Sequence, residues 1–207
     1  MSFIPSGSIL LPGGFSTGSS HCGIKSNPDN PDVTIISAEN GCSAAGLFTT
    51  NKFAAPPVEW CRSILPAENL RGIVVNSGIA NACTGKKGVQ NVAKTAKESS
   101  KLMNCQTDQI AVASTGKIGE QLPMNKLIKG VKTAHQSLSD QKAAAREAER
   151  AILTTDRSPK SCAIKVNANG QTFSIGGMAK GAGMIAPNLA TMLAFITTDA
   201  EIPASLL

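Results

Sequence analysis

Residues 176–198 hold the groups best placed for covalent chemistry. A run rich in Gly and Ala carries one cation, Lys180, passes the turn signal Pro187-Asn188, and reaches Thr191 just before the apolar run Met192-Leu193-Ala194-Phe195-Ile196. Small residues let a backbone approach a ligand closely and turn sharply. A hydroxyl where such a loop enters a buried strand is a candidate nucleophile, because it reacts only when a base and an oxyanion site are fixed around it. The same placement also suits a Thr that opens a strand on β-propensity alone. A second hydroxyl corner is Ser114-Thr115-Gly116, which ends the apolar run Ile110-Ala111-Val112-Ala113. Backbone N–H groups and a side-chain hydroxyl can converge on one point at such a corner. The two histidines, His21 in a glycine-rich loop and His135 in a polar helix, support a Ser-His-Asp arrangement poorly.

Positioning these groups requires strands and helices, and the sequence outlines them. Residues 2–30 are Gly-, Ser- and Pro-rich and read as loop and turn. Strands are expected at 32–38, 71–75 and 110–114, and residues 43–58 read as a core strand followed by a proline-broken turn. The segment 76–85 is a Gly/Asn/Ser loop leading to a helix at 89–103. Residues 125–153 read as two helical pieces, with Ser139 or Asp140 as N-cap of the second. Residues 161–166 and 171–175 form a hairpin across Asn167-Ala168-Asn169-Gly170, since Asn-Gly tolerates positive φ. Short strands alternating irregularly with helices predict an α/β or α+β sandwich with a mixed sheet.

The 207 residues, 42% apolar and 16% charged, are ordinary for a globular domain. Aromatics make up 3%, with no Tyr, so the core must come from Ala, Val, Ile and Leu and a base-stacking nucleic-acid platform is not expected. The formal charge of +6 is scattered over candidate helices, which argues for solvated faces and against nucleic-acid binding, while suiting small anionic substrates. The strand, glycine loop and helix at 71–103 lack both nucleotide-loop patterns, G-x-G-x-x-G and G-x-x-x-x-G-K-[ST]. The six cysteines are far apart with no C-x-x-C pair, so neither a metal site nor a disulfide framework is expected. Residues 1–11 lack a basic n-region and the longest apolar run is broken by Pro187, so no signal peptide, membrane span or membrane partner is expected, and the location expected is cytoplasmic.

The run Lys180-Gly181-Ala182-Gly183-Met184-Ile185-Ala186-Pro187-Asn188-Leu189-Ala190-Thr191-Met192-Leu193 resembles the self-cleavage motif of the glutamate/ornithine N-acetyltransferases of arginine biosynthesis. Gly13-Gly14-Phe15, Cys22-Gly23-Ile24-Lys25, residues 43–58, Asn76-Ser77-Gly78-Ile79-Ala80-Asn81, Leu122-Pro123-Met124 and Thr154-Thr155-Asp156 extend the resemblance over essentially the whole chain. Ile79 stands where that family usually has Asn. The resemblance begins almost at Met1, leaving no room for a transit peptide as an expectation. It implies an αββα-like layered sandwich and cleavage between Ala190 and Thr191, giving an α-chain-like domain at 1–190 and the start of a β chain at 191–207. It further implies Thr191 as the acetyl-carrying nucleophile, Thr115 and Gly116 as the oxyanion hole, and Thr154, Lys180 and Thr191 as substrate contacts. The base would be the α-amine freed on Thr191, whose unperturbed pKa near 8 suits neutral pH.

The implied reaction moves acetyl from N-acetylornithine to glutamate by a ping-pong route with no cofactor, acetyl-CoA being a further donor in some members. The implied assembly is a heterotetramer of α and β chains cut from one precursor. Family members continue for a comparable length beyond the Thr, whereas here Thr191 to Leu207 follow. Two other readings stay open at this point: a self-processing Thr-nucleophile amidase or aminopeptidase in which water replaces glutamate, and an inactive remnant.

Overall fold

The apolar runs pair into two four-stranded sheets in the computed structural model, which describes residues 1–168, 170–181 and 192–207. The strands are β1 (Ser2–Phe3), β2 (Phe15–Ser20), β3 (Val33–Ala44), β4 (Ala67–Ile79), β5 (Ile110–Lys117), β6 (Lys160–Ala168), β7 (Gln171–Lys180) and β8 (Leu193–Thr198). One sheet has the order β2-β3-β4-β5, the other β1-β6-β7-β8. Among the described residues only β4 and β5 pair in parallel, and a parallel pair needs a long crossover, which here contains the helix α2 (Gly85–Leu102). The other helices are α1 (Pro56–Ile64), α3 (Met124–Gln136) and α4 (Lys142–Ala151).

Helical spacing of small and apolar residues decides which faces are buried. α2 buries Val92, Thr95, Ala96 and Ser99, and α3 buries Leu127, Gly130, Val131 and Ala134, each set following the i, i+3, i+4, i+7 pattern of one helix face. These faces pack on Val33, Ile35, Val74, Ile110 and Val112 of the first sheet. The opposite face of that sheet presents Ile36, Ile73, Val75 and Ala113 to Met178, Leu193 and Phe195 of the second sheet and to Ala145, Ala148 and Ile152 at α4. Helices, sheet and sheet are thus stacked, as expected of a layered α+β sandwich, and Ala, Val, Ile and Leu dominate both core clusters. Each such Val, Leu or Ile contributes about 1.5–3 kcal/mol by leaving water.

Asp32 locks the first sheet to the loop before it. Its side chain is fully buried and its two oxygens accept the N–H groups of Cys22 (2.7 Å), Ile24 (2.8 Å) and Lys25 (3.0 Å). A buried carboxylate is tolerable only when its lone pairs are met in this way.

Five expectations need correction. Residues 76–79 continue β4 where a Gly/Asn/Ser loop is expected, because they pair with β5. Residues 176–180 belong to β7 rather than to a loop, paired with β6 and β8, and β8 is not a buried strand, since Ile196 faces solvent. Residues 2–30 contain two strands, the short β1 paired with β6 and β2, whose polar sequence Phe-Ser-Thr-Gly-Ser-Ser hides it; pairing with β3 and a bridge from Thr17 to Ser139 satisfy the backbone of β2. Residues 43–58 are not a core strand and turn: the strand stops at Ala44, Leu47 (94% exposed) and Phe53 (75% exposed) lie on the surface, and Pro56 opens α1. Proline is well suited to the first helical turn, where its missing N–H has no partner to lose. The N-cap of α4 is Gln141, not Ser139 or Asp140; Ser139 Oγ accepts the Gln141 N–H from one turn outside the helix.

Candidate active site

Three separate elements deliver one buried polar cluster. Thr115 lies near the end of β5, Thr154 in the turn after α4, and Lys180 is the last residue of β7. Lys180 is 4% exposed and Thr115 is 2% exposed. Lys180 Nζ donates to Thr154 Oγ1 (2.7 Å) and Thr115 Oγ1 (3.1 Å). An ammonium has donors only, so both hydroxyl oxygens must act as acceptors toward it, and their own protons are directed to other acceptors. Among the described residues the cluster therefore offers two hydroxyl donors and the third ammonium proton within one small volume.

Gly116 adds backbone geometry that a side chain would forbid. Its φ is +131°, and a Cβ there would stand 2.3 Å from the Gly78 carbonyl carbon. The ends of the parallel strands β4 and β5 therefore touch backbone to backbone. Asn76 braces this end of the sheet: its Nδ2 donates to the Ile79 carbonyl (2.8 Å) and its Oδ1 accepts from Ser114 Oγ (2.7 Å). Ile79 is buried in the helix-facing core, so it contributes packing, and its carbonyl is the polar group used.

Charge is balanced by Asp156, whose side chain is 2% exposed. It lies 2.9 Å from Lys160 Nζ and 3.7 Å from Lys180 Nζ, and accepts the Gly181 N–H at 2.9 Å. Burial pushes the Lys180 ammonium below the usual lysine range, with Asp156 opposing that shift. Burial raises the Asp156 carboxyl, but the Lys160 hydrogen bond, the Gly181 N–H and Lys180 outweigh it and hold it below the usual carboxylate range. Sequence reasoning missed Asp156 as a site residue; the signal was its place in Thr154-Thr155-Asp156 with Lys160 four residues on.

The structure brings Thr115, Thr154 and Lys180 together, with Gly116 adjacent. Ala190 and Thr191 lie outside the described residues. His21 Nδ1 stands 3.0 Å from the Asn30 carbonyl oxygen and 3.4 Å from Asp32, and His135 sits in α3; neither is bonded to the cluster. Among the described residues no three His, Cys, Asp or Glu side chains are grouped to hold a metal, and no helix is long and apolar enough to cross a membrane. A cavity of about 850 Å³ is lined by residues including Ile36, Leu70, Ala111, Thr197 and Ile202 and by none of the cluster residues. Its charged lining residues are Glu68 and Glu201, the wrong sign for an anionic substrate, so the chemistry points to the Lys180 cluster instead.

Comparison with known proteins matches residues 16–207 to the model of the ArgJ family. The chain is 44% identical over 200 residues to the arginine biosynthesis bifunctional protein ArgJ of Dehalococcoides mccartyi, covering 96% of this chain and 48% of that protein. It is 43% identical over 212 residues to the mitochondrial ArgJ of Aspergillus oryzae, covering 99% and 46%. The chain thus spans about half the length of the curated relatives it matches. Among solved structures, ArgJ from Bacillus halodurans superposes with a TM-score of 0.85 at 35% identity over 91% of this chain and 97% of that one. An ornithine acetyltransferase from Mycobacterium tuberculosis complexed with ornithine gives 0.83 at 36% identity over 91% and 99%. With the fold shared at this level and the sequence matched from Ser16 to Leu207, the chain belongs to the ArgJ family.

Proposed function

We propose that this chain forms the acyl-transfer portion of an acetyltransferase of arginine biosynthesis, which takes acetyl from N-acetylornithine and gives it to glutamate. The observation carrying this reading is the buried Lys180 ammonium shared by Thr115 and Thr154 in a member of the ArgJ family. A cation beside hydroxyls, with a donor not used among the described residues, suits an amino-acid carboxylate and an acyl carbonyl in one place. Relatives are named for arginine biosynthesis, and one was solved with ornithine bound.

In the proposed reaction the Ala190–Thr191 bond breaks first, giving Thr191 a free α-amine and dividing the chain into an α-chain-like domain, 1–190, and the start of a β chain. That amine accepts the hydroxyl proton as Thr191 Oγ1 attacks the acetyl carbonyl of N-acetylornithine. Negative charge developing on the carbonyl oxygen is met by the Thr115 hydroxyl and the Gly116 N–H, the proposed oxyanion hole. Ornithine leaves with the returned proton, and the glutamate α-amine attacks the acetyl-Thr191 ester by the same steps in reverse. Thr154 and Lys180 contact the substrate. No cofactor is required, acetyl-CoA being an alternative donor, and the two chains assemble as a heterotetramer in the cytoplasm.

Intact mass spectrometry tests the first step: polypeptides ending at Ala190 and beginning at Thr191 are expected, and Thr191→Ala leaves the chain whole and without transfer activity. An uncut Thr191→Ala protein that still transfers acetyl refutes the mechanism. Acetate release from N-acetylornithine that is indifferent to glutamate indicates the amidase reading. Fractionation of the source cells tests the cytoplasmic location.

A further inference from the structure

The Asp156 carboxylate is tied to three groups from three places. Oδ1 accepts from the Gly181 N–H and from Lys160 of β6, while Oδ2 stands 3.7 Å from Lys180 and makes no hydrogen bond among the described residues. A carboxylate oxygen buried without a donor is costly, and here it lies beside the one ammonium that the site depends on. We propose that Asp156 is a positioning residue whose negative charge keeps Lys180 an ammonium between Thr115 and Thr154 and whose Oδ1 fixes the backbone of Gly181, the next residue after Lys180. The consequence for catalysis rests on the function proposed above.

The physical reason lies in hydrogen-bond direction. As an ammonium, Lys180 only donates, so the Thr115 and Thr154 protons are left for substrate. As a neutral amine it would carry a lone pair and could accept a proton from either hydroxyl, turning that donor away from substrate. Three other cations or anions face Lys180: Asp156 from the turn after α4, Lys160 from β6 and Lys25 from the loop ahead of β3. Burial and both lysines favour the neutral amine; among the described residues Asp156 is the charged group that favours the ammonium. Asp156 thus controls the hydroxyls without touching them.

The test is titration of the Lys180 side chain by ¹³Cε NMR, assigned with Lys180→Arg, in native, Asp156→Asn and Lys160→Met proteins. Asp156→Asn keeps the shape and the acceptor for Gly181 but removes the charge, and is expected to lower the proton affinity of Lys180 by about tenfold or more. Lys160→Met removes a cation and is expected to move it the opposite way. In the acetyl-transfer assay on the processed enzyme, the alkaline limb of the kcat/KM profile should move to lower pH in Asp156→Asn and to higher pH in Lys160→Met. A folded Asp156→Asn protein with an unmoved Lys180 titration overturns the proposal. If Asp156→Asn does not fold, an unmoved Lys180 titration in Lys160→Met overturns it equally. Shifted Lys180 titrations without any acetyl transfer uphold the role of Asp156 and refute the proposed function instead.

Discussion

Replacing Gly116 by Ala tests whether the corner at the end of β5 is as rigid as its contacts imply. At φ +131° any L side chain is strained, by about 1–3 kcal/mol. The added Cβ would also meet Gly78 backbone atoms at 2.3, 2.4 and 2.7 Å. Gly78 has no space to withdraw, because its own Cβ position is 2.8 Å from Ile24, and Asp32 pins the Ile24 N–H. Overpacking of this kind adds about 1–3 kcal/mol. The sum is about 4 kcal/mol, or a fall in Tm of roughly 8–16 °C for a chain of this size. Gly119→Ala is the matched control: φ is +86°, but nothing lies within 4 Å of the added carbon. Strain alone should then cost about 1–2 kcal/mol there. Urea unfolding followed by fluorescence of Trp60, the sole tryptophan, measures both. Trp60 is a suitable reporter because its Nε1 donates to the Ile110 carbonyl at the start of β5 (2.9 Å). On the function proposed above, displacing the Gly116 N–H should also reduce acetyl transfer by about 10²–10³-fold, an effect Gly119→Ala should not share. Equal stability losses in the two variants would show that the backbone contact yields easily, and the argument for a rigid oxyanion corner would fail.

Two further predictions concern the loop that supports this corner. Asp32→Ala orphans three half-buried N–H groups and should lower stability by about 2–4 kcal/mol, with Asp32→Asn falling between it and the native chain; a loss under about 1 kcal/mol, read from the urea midpoint, would contradict the role given to Asp32. Burial chiefly holds Lys25, which donates to the Pro31 and Ala151 carbonyls, down from 10.5 to about 8. Between those values the unfolded chain binds the extra proton, so the contribution of Lys25 is least favourable below about pH 8 and improves as pH rises toward 10.5. The stability of the native chain relative to Lys25→Met should therefore climb across that window, and a flat or falling difference would be the wrong sign.

Much of the fold was legible because its strands and helices are periodic. The hairpin of β6 and β7 and the buried faces of α2 and α3 are each carried by local pattern, and Asn-Gly marks the hairpin turn. What escaped was imposed from a distance. β2 has the sequence of a loop and becomes a strand because β3 and Ser139 meet its backbone groups. Pro56-Pro57 signals a break equally well at a turn and at a helix start. In the site, Thr115, Thr154 and Lys180 were each legible by resemblance, and the structure adds that one ammonium joins them. Asp156 was not legible as a partner of Lys180, since nothing local relates residues 24 positions apart in different elements; only the docking of β7 beside the turn after α4 does so.

Because one parallel strand, one turn and the far end of a late strand each supply a part, the assembly of the cluster carries its own clock. β2 to β5, complete by residue 117, form one sheet, but Lys180 arrives only with β7, so a half-made or half-folded chain has no cluster at all. Contacts spanning 65 residues form slowly compared with local ones. On the function proposed above, the reacting bond is thereby protected until both sheets have met, and premature reaction in the nascent polypeptide is avoided without an inhibitor.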